Sequence, residues 1–200
     1  MRTIGPMSET NYFADDPRSN WDRMLAGDLY IADDPRMHER GQRAFRLADR
    51  YHRAFAAGEN GARDILTELI GQLGEHAVIR PPLFVDYGDN ITIGPRTFVN
   101  FNFTALDVAP VGIGADCQLG PNVQLLTPTH PLEPDPRRHK LEAASPISIG
   151  DNVWLGGGVI VCPGVSIGDN TVVGAGSVVT RDIPANVVAV GNPARVTKKL

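Results

Sequence analysis

Residues 147–180 read ISIGDN VWLGGG VIVCPG VSIGDN TVVGAG SVVT, and this stretch decides the fold. Ile149, Leu155, Val161, Ile167, Val173 and Val179 are aliphatic and recur every six residues without a break. Two positions before each stand Ile147, Val153, Val159, Val165, Thr171 and Ser177, and directly after each come Gly150, Gly156, Cys162, Gly168, Gly174 and Thr180. Alternate residues of a strand face one side, so each hexapeptide sends a pair of side chains inward. The small residue beside the pair lets the backbone bend before the next short strand. Three such faces close a coil of roughly eighteen residues, whose backbone groups pair with the coils above and below. An amphipathic helix needs a period of about 3.6, and an antiparallel sandwich needs a turn every ~8–12 residues. Neither fits.

The same rhythm runs backward through Leu125, Leu119 and Ile113, then through Ala105, Val99 and Ile93. The step from Ala105 to Ile113 is eight, so two residues are inserted there. Val85–Asn122 and Ile147–Ala194 together supply nearly five coils. The expected fold class is mainly β, a parallel β-helix of about five coils, whose open end calls for a cap. Composition changes near residue 78. Before it, Asp34-Pro35 reads as an N-cap followed by proline at the first helical position. Ala44, Leu47, Ala48, Tyr51 and Phe55 follow at helical spacing until Gly58, and Ile65, Leu66, Leu69, Ile70 and Leu73 form a second stripe until Gly74. The expected organisation is a tail over 1–20, a helical segment over 21–77 that covers one end, and the β-helix over 78–200 with an inserted loop over 127–145.

Composition excludes several classes. Of 200 residues 42% are hydrophobic and 21% charged, a balance that supports a globular core. The formal charge of −4 argues against nucleic acid as a partner. Two cysteines, Cys117 and Cys162, make no disulfide framework and suit a reducing cytoplasm. Asp15, Asp16, Asp22 and Asp28 interrupt the first thirty residues, which is not the pattern of a secretory leader. The longest uncharged run, Val153 to Ile167, is too short and too rich in glycine for a membrane span.

The segment TPTHPLEPDPRRHKLEAAS, residues 127–145, breaks the repeat. A polar excursion from a regular solenoid faces solvent and is a natural place for chemistry. His130 lies close to Leu125 and Leu126 of the last coil, whereas His139 sits mid-loop among Arg137, Arg138 and Lys140. By residue type alone, either is an ordinary exposed histidine.

The hexapeptides, Thr129-His130-Pro131 and the run Asn152–Gly156 (NVWLG) resemble acyltransferases of the left-handed β-helix class. Phe84–Gly94 (FVDYGDNITIG), Phe98–Asn102 (FVNFN), Pro121–Val123 and Gly191–Arg195 (GNPAR) are similar to the maltose and galactoside O-acetyltransferase family, over roughly residues 21–200. The resemblance implies a left-handed coil, acetyl-CoA as donor, a sugar hydroxyl as acceptor, no metal, and a homotrimer with each active site between two subunits. It implies His130 as the general base, since a neutral imidazole can take the proton of a poorly nucleophilic hydroxyl. Cys117 and Cys162 then have packing roles only.

The resemblance places acceptor contacts at Asp34, Asp86, Asn100 and Asp107. Each aspartate has a competing reading: a helix N-cap for Asp34, a turn before Tyr87-Gly88 for Asp86, and a bulge residue at the insertion for Asp107. The family's arginine seven residues after Asp34 is replaced by Gly41, with Arg40 and Arg43 beside it. Donor contacts fall at Trp154, Gly157, Ala175, Thr180, Arg181, Arg195 and Lys198. Trp154 is too large for a rung of valines and is expected outward. Gly157, where relatives often carry serine, offers only its N–H. Arg181, Arg195, Lys198 and Lys199 form a basic cluster, either for CoA phosphates or as a solvated tail. Glu142 either orients the imidazole or closes the loop. A xenobiotic acetyltransferase of the chloramphenicol or streptogramin type is the alternative within the same fold. A γ-type carbonic anhydrase needs three zinc-binding histidines, which His76, His130 and His139 do not supply at its spacing. A non-catalytic solenoid has no need of the histidine loop, Trp154 and the basic edge together.

Overall fold

The computed structural model describes residues 12–200. Most of the expected N-terminal tail, residues 1–11, lies outside the described residues. Within 12–20 the chain is docked: the Arg23 guanidinium lies 3.9 Å over the Phe13 ring, and Arg18 pairs with Asp16 at 2.7 Å.

The repeat builds a prism of three parallel faces. The first face stacks Gln72–Leu73, Ile91–Ile93, Val111–Ile113, Ile147–Ile149 and Ser166–Ile167, and Ile183 bridges to Ile167 beyond them. The second face stacks Val78–Ile79, Phe98–Val99, Gln118–Leu119, Trp154–Leu155, Val172–Val173 and Val187–Val190. The third stacks Leu83–Val85, Phe103–Leu106, Gln124–Leu126, Ile160–Val161 and Val178–Val179. The solenoid makes about six turns rather than five. The additional turn arises because the coil begins at Gln72, inside the segment expected to be helical. The second stripe splits: the helix stops at Leu69, Ile70 is extended, and Leu73 pairs beside Ile93. A short apolar run reads alike for helix and strand by periodicity. The glycines decide it, because a Cβ on Gly71 would lie 2.1 Å from the Asp89 carbonyl oxygen and one on Gly74 2.3 Å from the Pro95 nitrogen. Only bare backbone fits against the next coil.

Register exposes a second regularity. Thr92 pairs with Gln72 below and Gly112 above, twenty residues each way, whereas Ser148 pairs with Ser166, eighteen residues on. The insertion near Ala105 therefore has a twin after Val85. Asp86–Asn90, Asp107–Pro110 and residues 127–146 all occupy the corner between the third and first faces, one above another.

The interior follows the expected pairs. Ile149, Leu155, Val161, Val173 and Val179 are buried, and each such side chain contributes about 1.5–3 kcal/mol. Thr171 and Ser177 are admitted because their hydroxyls donate to the Pro184 and Gly174 carbonyls at 2.8 and 2.6 Å. Cys117 is buried with its thiol 3.1 Å from the Gly150 carbonyl oxygen, and Cys162 is half-buried at a corner. At Asn152, Asn170 and Asn186 the backbone is left-handed, and their amides form a ladder with 2.9 Å steps.

The helices include α1 (Asn20–Ala26), α2 (Pro35–Ala57) and α3 (Ala62–Leu69). Asp34 caps α2 with Pro35 at its start, and Gly58 ends it in the left-handed conformation, as the sequence indicates. Ala44, Leu47, Tyr51 and Ala54 of α2 and Ala62, Leu66 and Leu69 of α3 join the main core over the first coil. The segment before α2 packs elsewhere: Met24 and Tyr30 form a second cluster with Met37, Tyr87 and Val108 against the enlarged corner.

Phe103 is fully buried inside the coil, whereas Ser148 faces out from the first face. Phe103→Ala should cost about 3–5 kcal/mol and Ser148→Ala less than ~0.5 kcal/mol, measured by denaturant unfolding at one protein concentration.

Candidate active site

The enlarged corner gathers the polar groups. Asp107, fully buried, accepts the Tyr87 N–H at 2.9 Å and the Asn90 N–H at 3.3 Å, while the Asn90 side-chain amide donates to the Asp107 carbonyl at 2.7 Å. Asp107 thus clamps the turn of the coil below, the bulge-forming role. Burial pushes its carboxyl upward against the pull of those N–H groups. The clamped turn presents Asp86, half-buried, whose carboxyl is pushed up to about 6, chiefly by burial and then by the charges of Asp107 and Glu142.

Residues 127–145 are a hairpin rather than an irregular loop. Strand Pro128–Thr129 pairs antiparallel with Leu141–Ala144, which pairs on its other side with Tyr30–Ile31. Between the first two lies the short helix α4 (Pro134–Arg138). His130 directly follows Thr129, and its Nδ1 is 3.1 Å from the Leu141 carbonyl oxygen. A carbonyl only accepts, so Nδ1 carries the hydrogen; in the neutral ring Nε2 then keeps a free lone pair, and the ring is exposed. Glu142 makes no direct hydrogen bond to the imidazole among the described residues. The Leu141 carbonyl orients the imidazole, and the Glu142 carboxylate accepts from the Tyr30 hydroxyl at 2.8 Å. His139 sits at the end of α4 with its ring nitrogen against the Asp135 carbonyl and the Tyr12 hydroxyl, away from the coil strands.

The α2 helix passes beside Asp86, since a Cβ on Gly41 would lie 3.6 Å from the Asp86 carbonyl oxygen. Arg40 and Arg43 flank the position where the family's arginine is missing. Both turn to Asp89, and Arg43 also donates to the Glu68 carbonyl at 2.9 Å. Asp34 accepts the N–H groups of Arg36 and Trp21 and pairs with the Arg36 guanidinium, which chiefly holds its carboxyl down at about 2.

The remaining residues divide between two edges. Thr180 and Arg181 lie two coils beyond His130 on the same edge. Asn100, Gly157 and Ala175 lie on the edge between the second and third faces, and Asn100 uses its side-chain oxygen to accept the Phe101 N–H at 2.9 Å. In one chain the third face, about 10–15 Å wide, separates the two groups. Trp154 points outward from the second face, 55% exposed, as its size requires. A Cβ on Gly157 would lie 3.3 Å from the Pro121 carbonyl oxygen, a close approach. Arg195 and Lys198 belong to a strand, Arg195–Lys199, paired antiparallel with Val187–Val190, so the basic cluster is no loose tail. Arg181 and Arg195 line one pocket of about 160 Å³. Tyr30, Tyr87 and the Leu141 carbonyl escaped the sequence reading. The two tyrosines stand out only as aromatics in a chain with few, and a backbone carbonyl leaves no signal. Among the described residues, no group of three metal-ligating side chains could hold an ion, and no helix is long and apolar enough to cross a membrane.

Comparison with known proteins matches residues 23–74 to the maltose acetyltransferase hexapeptide capping motif and residues 146–181 to the bacterial transferase hexapeptide repeat. Nodulation protein L of Rhizobium meliloti is 46% identical, covering 90% of this chain and 98% of its own. The crystal structure of a maltose O-acetyltransferase from Clostridium difficile 630 superposes with a TM-score of 0.89 at 42% identity, over 92% of this chain and 98% of that one. A galactoside acetyltransferase in complex with coenzyme A gives 0.87 at 37% identity, over 91% of each chain.

Because Asp86 holds its proton more tightly folded than its ordinary value of 3.8, its charge weakens the fold as pH rises toward about 6, and the penalty is complete above that. Asp86→Asn should therefore unfold at a higher temperature than the parent at pH 8, by roughly 1–2 kcal/mol of stability. Below pH ~4 the difference should vanish.

Proposed function

The chain belongs to the maltose and galactoside O-acetyltransferase family of hexapeptide-repeat proteins and is an acetyl-CoA-dependent O-acetyltransferase; from that premise we propose that it acetylates a sugar hydroxyl by direct attack, with His130 as general base. The observation that carries this reading is the hydrogen bond from His130 Nδ1 to the Leu141 carbonyl. It leaves Nε2 free to take the hydroxyl proton as the oxygen bonds to the thioester carbon. The tetrahedral intermediate then collapses with loss of the C–S bond, and the imidazolium returns its proton to the departing thiolate. No acyl-enzyme forms, and the free thiols of Cys117 and Cys162 play no part; they suit a reducing cytoplasm.

Asp86, ionised above pH ~6, is the acceptor-facing carboxylate, with Asp107 holding its turn. Arg181, Arg195 and Lys198 serve the CoA phosphates. Thr180 and Ala175 line the donor's path, and Trp154 packs on its apolar arm. The division of these residues between two edges supports a homotrimer in which the His130 edge of one subunit meets the Asn100, Gly157 and Ala175 edge of the next. The outward side chains agree with this. The first face shows Gln72, Thr92, Ser148 and Ser166, whereas the second shows Val78, Phe98, Trp154 and Val172 beside Gln118, and the third Phe84, Ile160 and Val178 beside Thr104 and Gln124. The second and third faces are thus the more apolar and the better suited to contact between subunits.

His130→Ala should lose on the order of 10²–10⁴-fold in kcat with the acetyl-CoA affinity retained, followed by thiol release over a panel of sugars, oligosaccharides and chloramphenicol. In the parent, log kcat/KM should climb with pH and level off, and His139→Ala should change little. A folded His130→Ala variant with parental turnover would falsify the general-base assignment; chloramphenicol as the preferred acceptor would replace the sugar.

Arg195→Ala should raise the acetyl-CoA KM roughly 3–10-fold with a smaller effect on the acceptor KM. Light scattering should give three times the 21.6 kDa chain mass; a stable monomer would remove the shared site.

A further inference from the structure

We propose that Tyr30 is a positioning residue for His130, acting through Glu142 and the Leu141 carbonyl. The inference rests on the general-base reading of His130. Tyr30 is 1% exposed, and its hydroxyl donates to Glu142 Oε2 at 2.8 Å. In the two-residue strand it begins, Tyr30 registers with Glu142 and Ile31 with Leu141. Leu141 is the residue whose carbonyl receives His130 Nδ1–H at 3.1 Å, and its strand registers Ala143 with Thr129, the neighbour of His130. The middle strand of this three-stranded sheet thus has His130 on one side and Tyr30 on the other. Its placement decides whether the carbonyl meets the ring.

Packing alone does not explain a tyrosine here. The phenol makes the only side-chain hydrogen bond that Glu142 has among the described residues. Glu142 also faces like charge, because Asp86 feels both Asp107 and Glu142. Without the hydroxyl, the Glu142 carboxylate has no donor, repulsion from the acidic corner pushes it toward water, and the strand that carries Leu141 moves with it. Burial, and then the Glu142 contact, keep the Tyr30 phenol protonated, so it donates throughout the working range. The segment before α2 therefore acts on the general base from outside the coil, by fixing its tautomer.

The test uses the full-length protein. Tyr30→Phe keeps the ring and loses the bond. It should lower kcat roughly 5–30-fold while the acetyl-CoA KM stays within about twofold and the subunit assembly is retained. Long-range ¹H–¹⁵N spectra of ¹⁵N-histidine protein should show His130 as the Nδ1–H tautomer in the parent and a mixture in Tyr30→Phe. Glu142→Gln, which keeps an acceptor oxygen for the phenol, should recover most of the turnover that Glu142→Ala loses. An unchanged tautomer in Tyr30→Phe overturns the proposal, and so does equal damage from Glu142→Gln and Glu142→Ala, which would assign the effect to charge. If the tautomer shifts in Tyr30→Phe while His130→Ala retains parental turnover, the positioning role stands and the general-base reading falls.

Discussion

Every coil of this protein hydrogen-bonds its backbone to the coils above and below, and the inward aliphatic pairs are buried only while that register is kept. Gly71, Gly74, Gly94 and Gly150 mark how close the coils come, since a side chain on any of them would collide with the next turn. A chain under this constraint cannot take extra residues within a face without either turning its inward pairs outward or pushing that face out of line with the coils above and below. Length can change only at a corner. The two-residue insertions after Val85 and Ala105 and the hairpin after Leu126 all use the same one. Asp86, Asp107 and His130 therefore share one corner on successive coils although their separations along the chain follow no motif. The repeat lines them up.

At that corner the groups divide their tasks through burial. Asp107 has its oxygens on backbone N–H groups and shapes the turn. Asp86 has burial without such donors among the described residues, and its carboxyl is lifted accordingly. Glu142 accepts the Tyr30 hydroxyl at 2.8 Å and adds its charge to the field on Asp86. The N-terminal segment is thus two devices in sequence. Met24, Tyr30 and Met37 pack the corner, while α2 and α3 close the end of the prism.

Much of this was legible in the residues. The six-residue recurrence identified the prism, the exclusion of Trp154 from the core and the break at residues 127–145. It fell short where two periodicities coincide. Ile70 and Leu73 continue the helical stripe of α3, yet glycines on either side hand them to the first coil. The insertion after Val85 was hidden because no earlier repeat had been recognised to measure it against. Functional detail was lost for a different reason. Glu142 could be linked to His130 by distance along the chain, but the contact runs from a backbone carbonyl one residue earlier, and every residue type has one. The residues beside Gly41, Arg40 and Arg43, both pair with Asp89, a partner that their place in the sequence does not reveal.

The C-terminal strand Arg195–Lys199 runs antiparallel to the last strand of the second face, while every other neighbour on that face is parallel. A solenoid that simply stopped would expose a row of unpaired N–H and C=O groups shaped to accept another coil, and a second molecule could add there end to end. By folding back, the chain fills those groups itself with a strand bearing Arg195, Lys198 and Lys199, whose like charges repel an identical terminus. The same few residues that border the pocket of Arg181 thus also cover the open strand edge of the second face.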